Sequence, residues 1–209
     1  MKTVSVEYDV YSYNELSEDA KEKAKAWFLE GREPSMFSDD CKEDLANLFG
    51  EHDLGVQYTL NYCQGDGFNI YGKIDAESIF KCLEAHNGGV QLEKFEGVMT
   101  GKEKKTVLHY AEQCGAIEIP YNHQYCYCIA DYIDIAEEWA YNLENYFGYR
   151  AINMEALKKF EDMVKDIFET LCSAYEKWGY EYFYEIEDAD MEDICEANGY
   201  EFLEDGTIF

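Results

Sequence analysis

Arginine is close to missing from this chain: Arg32 and Arg150 are the two it has among 209 residues. Forked, bidentate clamps on phosphate are therefore nearly excluded. Positive charge is scarce in general, with 17 Lys plus Arg against 45 Asp plus Glu and a net charge of −28 at pH 7. A field of that sign repels DNA, RNA and anionic membranes, so direct binding to nucleic acid or to a membrane surface is not expected. The same field attracts a basic protein surface, for instance the nucleic-acid groove of another protein. A solubilising surface or adaptation to a salty cell are the plainer accounts of the charge. Proline is scarce too, and both residues, Pro34 and Pro120, fall in expected connections. No apolar run approaches the length of a membrane span. The opening eight residues lack the apolar segment of a signal peptide. The expectation is a cytosolic protein whose eight cysteines are reduced and mostly buried.

Aromatic residues, by contrast, are plentiful: 19 Tyr and 12 Phe. A disordered acidic chain would lack them, so this one folds. The stretch that organises the reading is 57–72. Apolar and polar residues alternate from Tyr58 to Tyr62, Gly65-Asp66-Gly67 makes a turn, and Phe68 and Ile70 resume the period of two. Such alternation predicts a β-hairpin with Leu60, Tyr62, Phe68 and Ile70 inward. Glycine supplies backbone conformations that side chains forbid, and Asp66 can bond the turn's own backbone.

Around the hairpin, alternation over 3–10 predicts a first strand. Ser17 caps a helix that Gly31 ends, with Pro34 keeping it ended. Ser38 or Asp39 caps a second helix to about Phe49, and Asp75 a third through Ala85, stopped at 87–89. Strands are expected at 106–110 and 125–129, with Ile117 and Ile119 leading into a turn. The cluster Lys102 to Lys105 reads as an exposed turn. Helices follow over about 131–144, 154–177 (ended by Gly179) and 191–197, with 180–186 a strand between the last two. The architecture is α+β: an antiparallel sheet with helices packed on it, then a mostly helical acidic C-terminal half. Its expected division is 1–130, an α+β domain around the hairpin, and 131–209, a mainly helical acidic region packed on it, with one continuous domain as the alternative.

Residues 181–205 carry eleven carboxylates and no Lys or Arg. They alternate with apolar residues, which places them on a folded surface. The candidate partner-binding residues are Glu137, Glu138 and Glu144, with Glu181, Glu185, Glu187, Asp188, Asp190, Glu192, Asp193 and Glu196. Carboxylates spaced along helices can imitate the phosphates of a duplex and occupy a basic cleft.

Chemistry is harder to find. Gly65-Asp66-Gly67 has neither the Lys-Ser/Thr nor the third glycine of a nucleotide loop, and its acid repels phosphate. Cys126 and Cys128 share a face of an expected strand, and with Cys114 and His123 they are the one candidate zinc set. Their spacing is wrong for a knuckle, and buried unligated cysteine is common in reduced proteins. Cys63, beside the turn, is the one candidate nucleophile, with His52, His86, His109 or His123 as an unassigned base. Packing accounts for these residues more simply. No catalytic residue, metal or cofactor is assigned.

Three segments carry a resemblance. The hairpin from Tyr58 to Gly72, with its Gln64-Gly65-Asp66-Gly67 turn, resembles a motif of small acidic proteins of bacteriophages and other mobile elements. Residues 13–24 and 194–206 are similar to the opening and closing segments of that group. The resemblance covers about a quarter of the chain, and the group is largely uncharacterised. It implies a phage or mobile-element origin and action in the cytoplasm of an infected bacterial host. It points to inhibitors of host defence, anti-CRISPR and anti-restriction proteins among them. Together with the charge, it yields the expectation of a non-enzymatic inhibitor. Its partner would be a basic host protein, a CRISPR-associated nuclease first and a restriction enzyme second. Oligomeric state is left open, a homodimer included.

Overall fold

The computed structural model describes residues 3, 6–50, 52–85, 92–121 and 130–209. Two strands, β1 (Asp53–Thr59) and β2 (Gly67–Ile74), form the antiparallel hairpin, with Val56 opposite Ile70 and Tyr58 opposite Phe68. A third strand, β3 (Ile117–Ile119), pairs antiparallel with the far end of β2, so that β2 is central. Leu60, Phe68 and Ile70 are buried, as the alternation requires. Tyr62 is not: it is 65% exposed and its φ is +53°. The pairing ends at Thr59, so the period of two no longer governs the residues beyond it. The connection is a longer loop, not a tight turn. Gly72 is the position where the hairpin demands glycine, because its φ is +125° and a Cβ would fall on the Asp53 carbonyl of β1.

Among the described residues the chain also forms seven α-helices, in order α1 (Glu18–Glu30), α2 (Pro34–Phe49), α3 (Ala76–Ala85), α4 (Gly101–Cys114), α5 (Ala136–Asn145), α6 (Met154–Tyr184) and α7 (Asp188–Asn198). The chain falls into two compact units. One comprises 37–178, and the other joins 1–36 to 179–209.

The larger unit holds the sheet. Phe37 of α2, Tyr58 of β1, Phe68 of β2 and Tyr175 of α6 form an aromatic cluster with ring centroids 5.2–6.3 Å apart. Edge-on and offset arrangements of this kind add to the area they bury. The Tyr175 hydroxyl donates to Asp44 at 2.5 Å, which satisfies its one polar atom inside the core. Phe160 and Phe168 of α6 extend the core to Phe80 of α3 and Phe49 of α2. The α6 stripe Leu157, Phe160, Val164, Phe168, Leu171 is fully buried, which is the face the sequence periodicity marks.

The smaller unit packs Leu16, Ala20 and Ala24 against Met191, Cys195 and Phe202. Trp27 meets Tyr200 and Phe202 edge-on at 5.4 and 6.2 Å. Tyr11 and Phe202 exchange backbone hydrogen bonds of 2.8 and 2.9 Å. Gly206, with φ +81°, lies so close to the Ala20 carbonyl that any Cβ would strike it.

Several sequence expectations are corrected. Residues 6–10 form no strand, and Val6 and Tyr8 are 64% and 60% exposed; alternation alone does not make a strand where no neighbour pairs with it. Gly31 ends α1 as expected, but Pro34 is the first residue of α2 and not part of a connection, a position where its missing N–H costs nothing. Helix α2 thus starts ahead of the expected cap at Ser38 or Asp39. Residues 106–110 lie in α4, which a reciprocal cap initiates: Glu103 accepts the Thr100 N–H and Thr100 accepts the Glu103 N–H. The expected strand 180–186 is largely the end of α6, which passes through Gly179 to Tyr184. There the Arg32 guanidinium lies over the Tyr182 ring at 4.9 Å and donates to the Tyr182 carbonyl. That contact holds the last turn in place of a cap. Helix α7 starts at Asp188, three residues earlier than expected. The expected strand 125–129 and the stop at 87–89 lie outside the described residues.

Candidate functional site

The acids of 181–205 fall on the end of α6, on α7 and on the segment after it. All but Glu192 are exposed. They are not equivalent. Asp188 accepts the Tyr13 hydroxyl at 2.8 Å and pairs with Lys25 Nζ at 2.5 Å. Lys25 first, and then Tyr13, hold its carboxyl below the ordinary carboxylate range. Glu192 accepts a bond from the Asn14 amide. Asp205 pairs with Lys23 at 2.6 Å, which depresses its pKa strongly. These three carboxylates tie 12–25 to α7 and to the segment after it, so part of the acidic density is structural.

Glu187, Asp190, Asp193 and Glu196 are different. They recur every three residues from the α7 N-cap along the helix, and all four are exposed. Three residues of helix rise about 4.5 Å, close to the spacing of one charge per about 3.4 Å along one strand of B-form DNA. Glu187 is the N-cap of α7 and Asp190 lies in its first turn, the end of a helix where negative charge is favoured.

Beside this stripe lies a groove of about 520 Å³. Its lining includes Ser12, Asn14, Glu15, Glu192, Glu196 and Glu201. Glu15 is held by the Ser12 N–H and hydroxyl at 2.8 and 2.9 Å, and those bonds lower its pKa. Glu15 and Glu201 were not among the residues expected from the sequence. The signal for Glu15 was present: Ser12 and Glu15 have the spacing of a capping box. Nothing in the sequence brings Glu201 to Glu15, since the fold of the smaller unit does that.

Glu137, Glu138 and Glu144 are exposed on α5, in the larger unit. Glu137 and Glu138 occupy the first turn, where the dipole favours them. Tyr141, Tyr146 and Phe147 stand exposed near them, with Tyr141 and Tyr146 in edge contact at 6.1 Å.

The Gln64–Gly67 turn is organised by Asp66. One carboxylate oxygen accepts the N–H groups of Asn61 and Cys63, at 2.7 and 3.0 Å, and the other lies 3.2 Å from the Cys63 thiol. The thiol is exposed, but its bond to Asp66 raises its pKa. A nucleophilic cysteine needs the opposite shift. As placed, the Asp66 carboxylate disfavours the Cys63 thiolate.

Of the zinc candidates, Cys114 is half-buried, its pKa is pushed up to about 11 by burial, and its thiol points at the Trp139 carbonyl at 3.8 Å. His123, Cys126 and Cys128 lie outside the described residues. Among the described residues no three His, Cys, Asp or Glu side chains converge on one metal position. No described helix is long and apolar enough to cross a membrane.

The chain matches no family model, and neither a curated protein nor a solved structure is significantly similar to it.

Proposed function

We propose that this is a binding protein that inhibits a host nucleic-acid-targeting enzyme by occupying its basic groove, a CRISPR effector nuclease being the partner class we favour. The observation that supports the reading is the α7 stripe. Glu187, Asp190, Asp193 and Glu196 are exposed, stepped along one helix at nearly the linear charge density of a nucleic-acid strand, and carried on a helix anchored by the buried Met191 and Cys195. An array held rigid in this way loses little conformational freedom on binding. Long-range attraction to a cationic cleft adds to the rate of encounter.

The structural carboxylates dictate how the test is built. Reversal at Asp188 or Glu192 would damage the smaller unit as well as the surface. The variant Glu187→Lys, Asp190→Lys, Asp193→Lys, Glu196→Lys spares both. Immobilised protein is exposed to bacterial lysate containing a CRISPR effector, and the purified nuclease is assayed for cleavage with and without the protein. The wild type is expected to capture the nuclease and block cleavage, the variant to do neither, and capture to weaken steeply as salt is raised. Equal capture by the folded variant, or capture that added salt leaves unchanged, would overturn the assignment to this surface.

A further inference from the structure

The larger unit contains a cationic concavity that the charge balance of the chain makes anomalous. Helix α4 places Lys102, Lys105 and His109 at helical spacings of three and four, so they share a face. That face lines an open cleft of about 630 Å³, to which Gly101, Tyr149 and Ala151 also contribute. Lys102, Lys105 and His109 are all exposed.

Acids outnumber bases by 45 to 17 in this chain, so an exposed lysine would be expected to find a carboxylate. The neighbouring lysine does so: Lys104 pairs with Glu84 at 2.5 Å, on another side of α4. Lys159 pairs with Glu103 at 3.1 Å. Lys102 and Lys105 make no ion pair among the described residues. Among the described residues, the carboxylate within ion-pair distance of His109 is Glu112, 3.6 Å from Nδ1. The other ring nitrogen, Nε2, is hydrogen-bonded to the Tyr149 hydroxyl at 2.8 Å, which fixes the imidazole at the cleft wall. Two lysines, an oriented imidazole and the first turn of a helix therefore face one space in a strongly negative protein.

We propose that this cleft binds a small phosphomonoester with a ring attached, of the size of a nucleoside monophosphate. Lysine recognises phosphate as a point charge, and two ammonium groups one helical turn apart match a phosphate dianion. The volume exceeds what a bare phosphate fills, and the half-buried Tyr149 ring, which also meets Tyr110 edge-on at 5.8 Å, offers a face for a flat group. The site is independent of the acidic stripe on α7, and it can be right whether or not the inhibitor reading holds.

The test is titration of the isotope-labelled full chain with adenosine monophosphate, followed by NMR and calorimetry at one fixed ionic strength. Amide shifts are expected in α4 and around Tyr149, together with a shift of the His109 ring protons. Inorganic phosphate is expected to displace the nucleotide, and adenosine is expected not to bind. Lys102→Ala with Lys105→Ala should weaken binding about tenfold or more, the loss expected for two charge-assisted contacts. Lys42→Ala on α2, a residue paired with Asp39 and absent from the cleft, should change nothing. Adenosine binding as tightly as its monophosphate would overturn the proposal. So would shifts that survive in the folded double variant, or no shifts at concentrations of about 5 mM, where even weak specific sites show occupancy.

Discussion

A single carboxylate decides the chemistry of the hairpin loop. Asp66 gathers two backbone N–H groups and stands against the Cys63 thiol. Asp66→Asn removes the negative charge that disfavours the thiolate. Alkylation of Cys63 by iodoacetamide near neutral pH, read by peptide mass mapping, should then speed up by about threefold per unit of pKa regained, because nucleophilicity falls as the pKa falls. An unchanged rate would mean that the thiol does not sense this carboxylate. The bonding capacity of Asp66 was legible from its place between two glycines. The outward Tyr62 was not, because alternation gives no sign of where pairing stops. Tyr175 is the second decisive residue. Burial, and then its bond to Asp44, push its hydroxyl far above the ordinary tyrosine range. A group whose pKa is raised on folding contributes stability that is complete below its unfolded value and is lost as pH rises toward the folded one. Urea-unfolding stability should therefore decline above about pH 10. Tyr175→Phe should be less stable by about 1–2 kcal/mol at pH 8 and should show a flatter alkaline decline. A decline of equal slope in both proteins would remove Tyr175 from the account.

At the scale of elements, the sequence was most legible where periodicity was long. The buried stripe of α6 and the Ser17 start of α1 follow from apolar spacing and a cap residue. The stretch 106–110 misled because Thr, Val and Tyr favour strands locally, whereas the cap at Thr100 and Glu103 sets the helix from six residues upstream. That contest gives a prediction. Thr100→Ala removes one side of the reciprocal cap and should cost about 1 kcal/mol of stability. Hydrogen exchange should quicken first in the amides of 101–104. No change in those amides would show that packing alone starts α4. Of the candidate site, the acidity of 181–205 was plain in the sequence. Its division into anchoring and outward carboxylates was not, since Asp188 and Glu192 are sorted only by Lys25, Tyr13 and Asn14 arriving from residues far away in the chain.

For the whole molecule, the net charge of −28 is a load on the folded state. Compaction brings like charges together, and the repulsion is longest-ranged in dilute buffer, where the Debye length reaches about 30 Å at 10 mM salt. Sodium chloride at about 0.5 M should raise Tm by about 5 °C over that in about 10 mM. Scanning calorimetry at the two concentrations is the check, and an unchanged or lower Tm would show that paired lysines already neutralise the field locally.

The smaller unit draws its two segments, 1–36 and 179–209, from distant parts of the polypeptide. On a ribosome, the surface formed by Leu16, Ala20, Ala24 and Trp27 must wait for Met191, Cys195 and Phe202 until nearly all the intervening residues have been translated. During that interval α1 is an orphan with a greasy flank, open to chaperone capture or degradation. A premature stop codon anywhere before residue 188 would leave it in that condition permanently, however well 37–178 had folded.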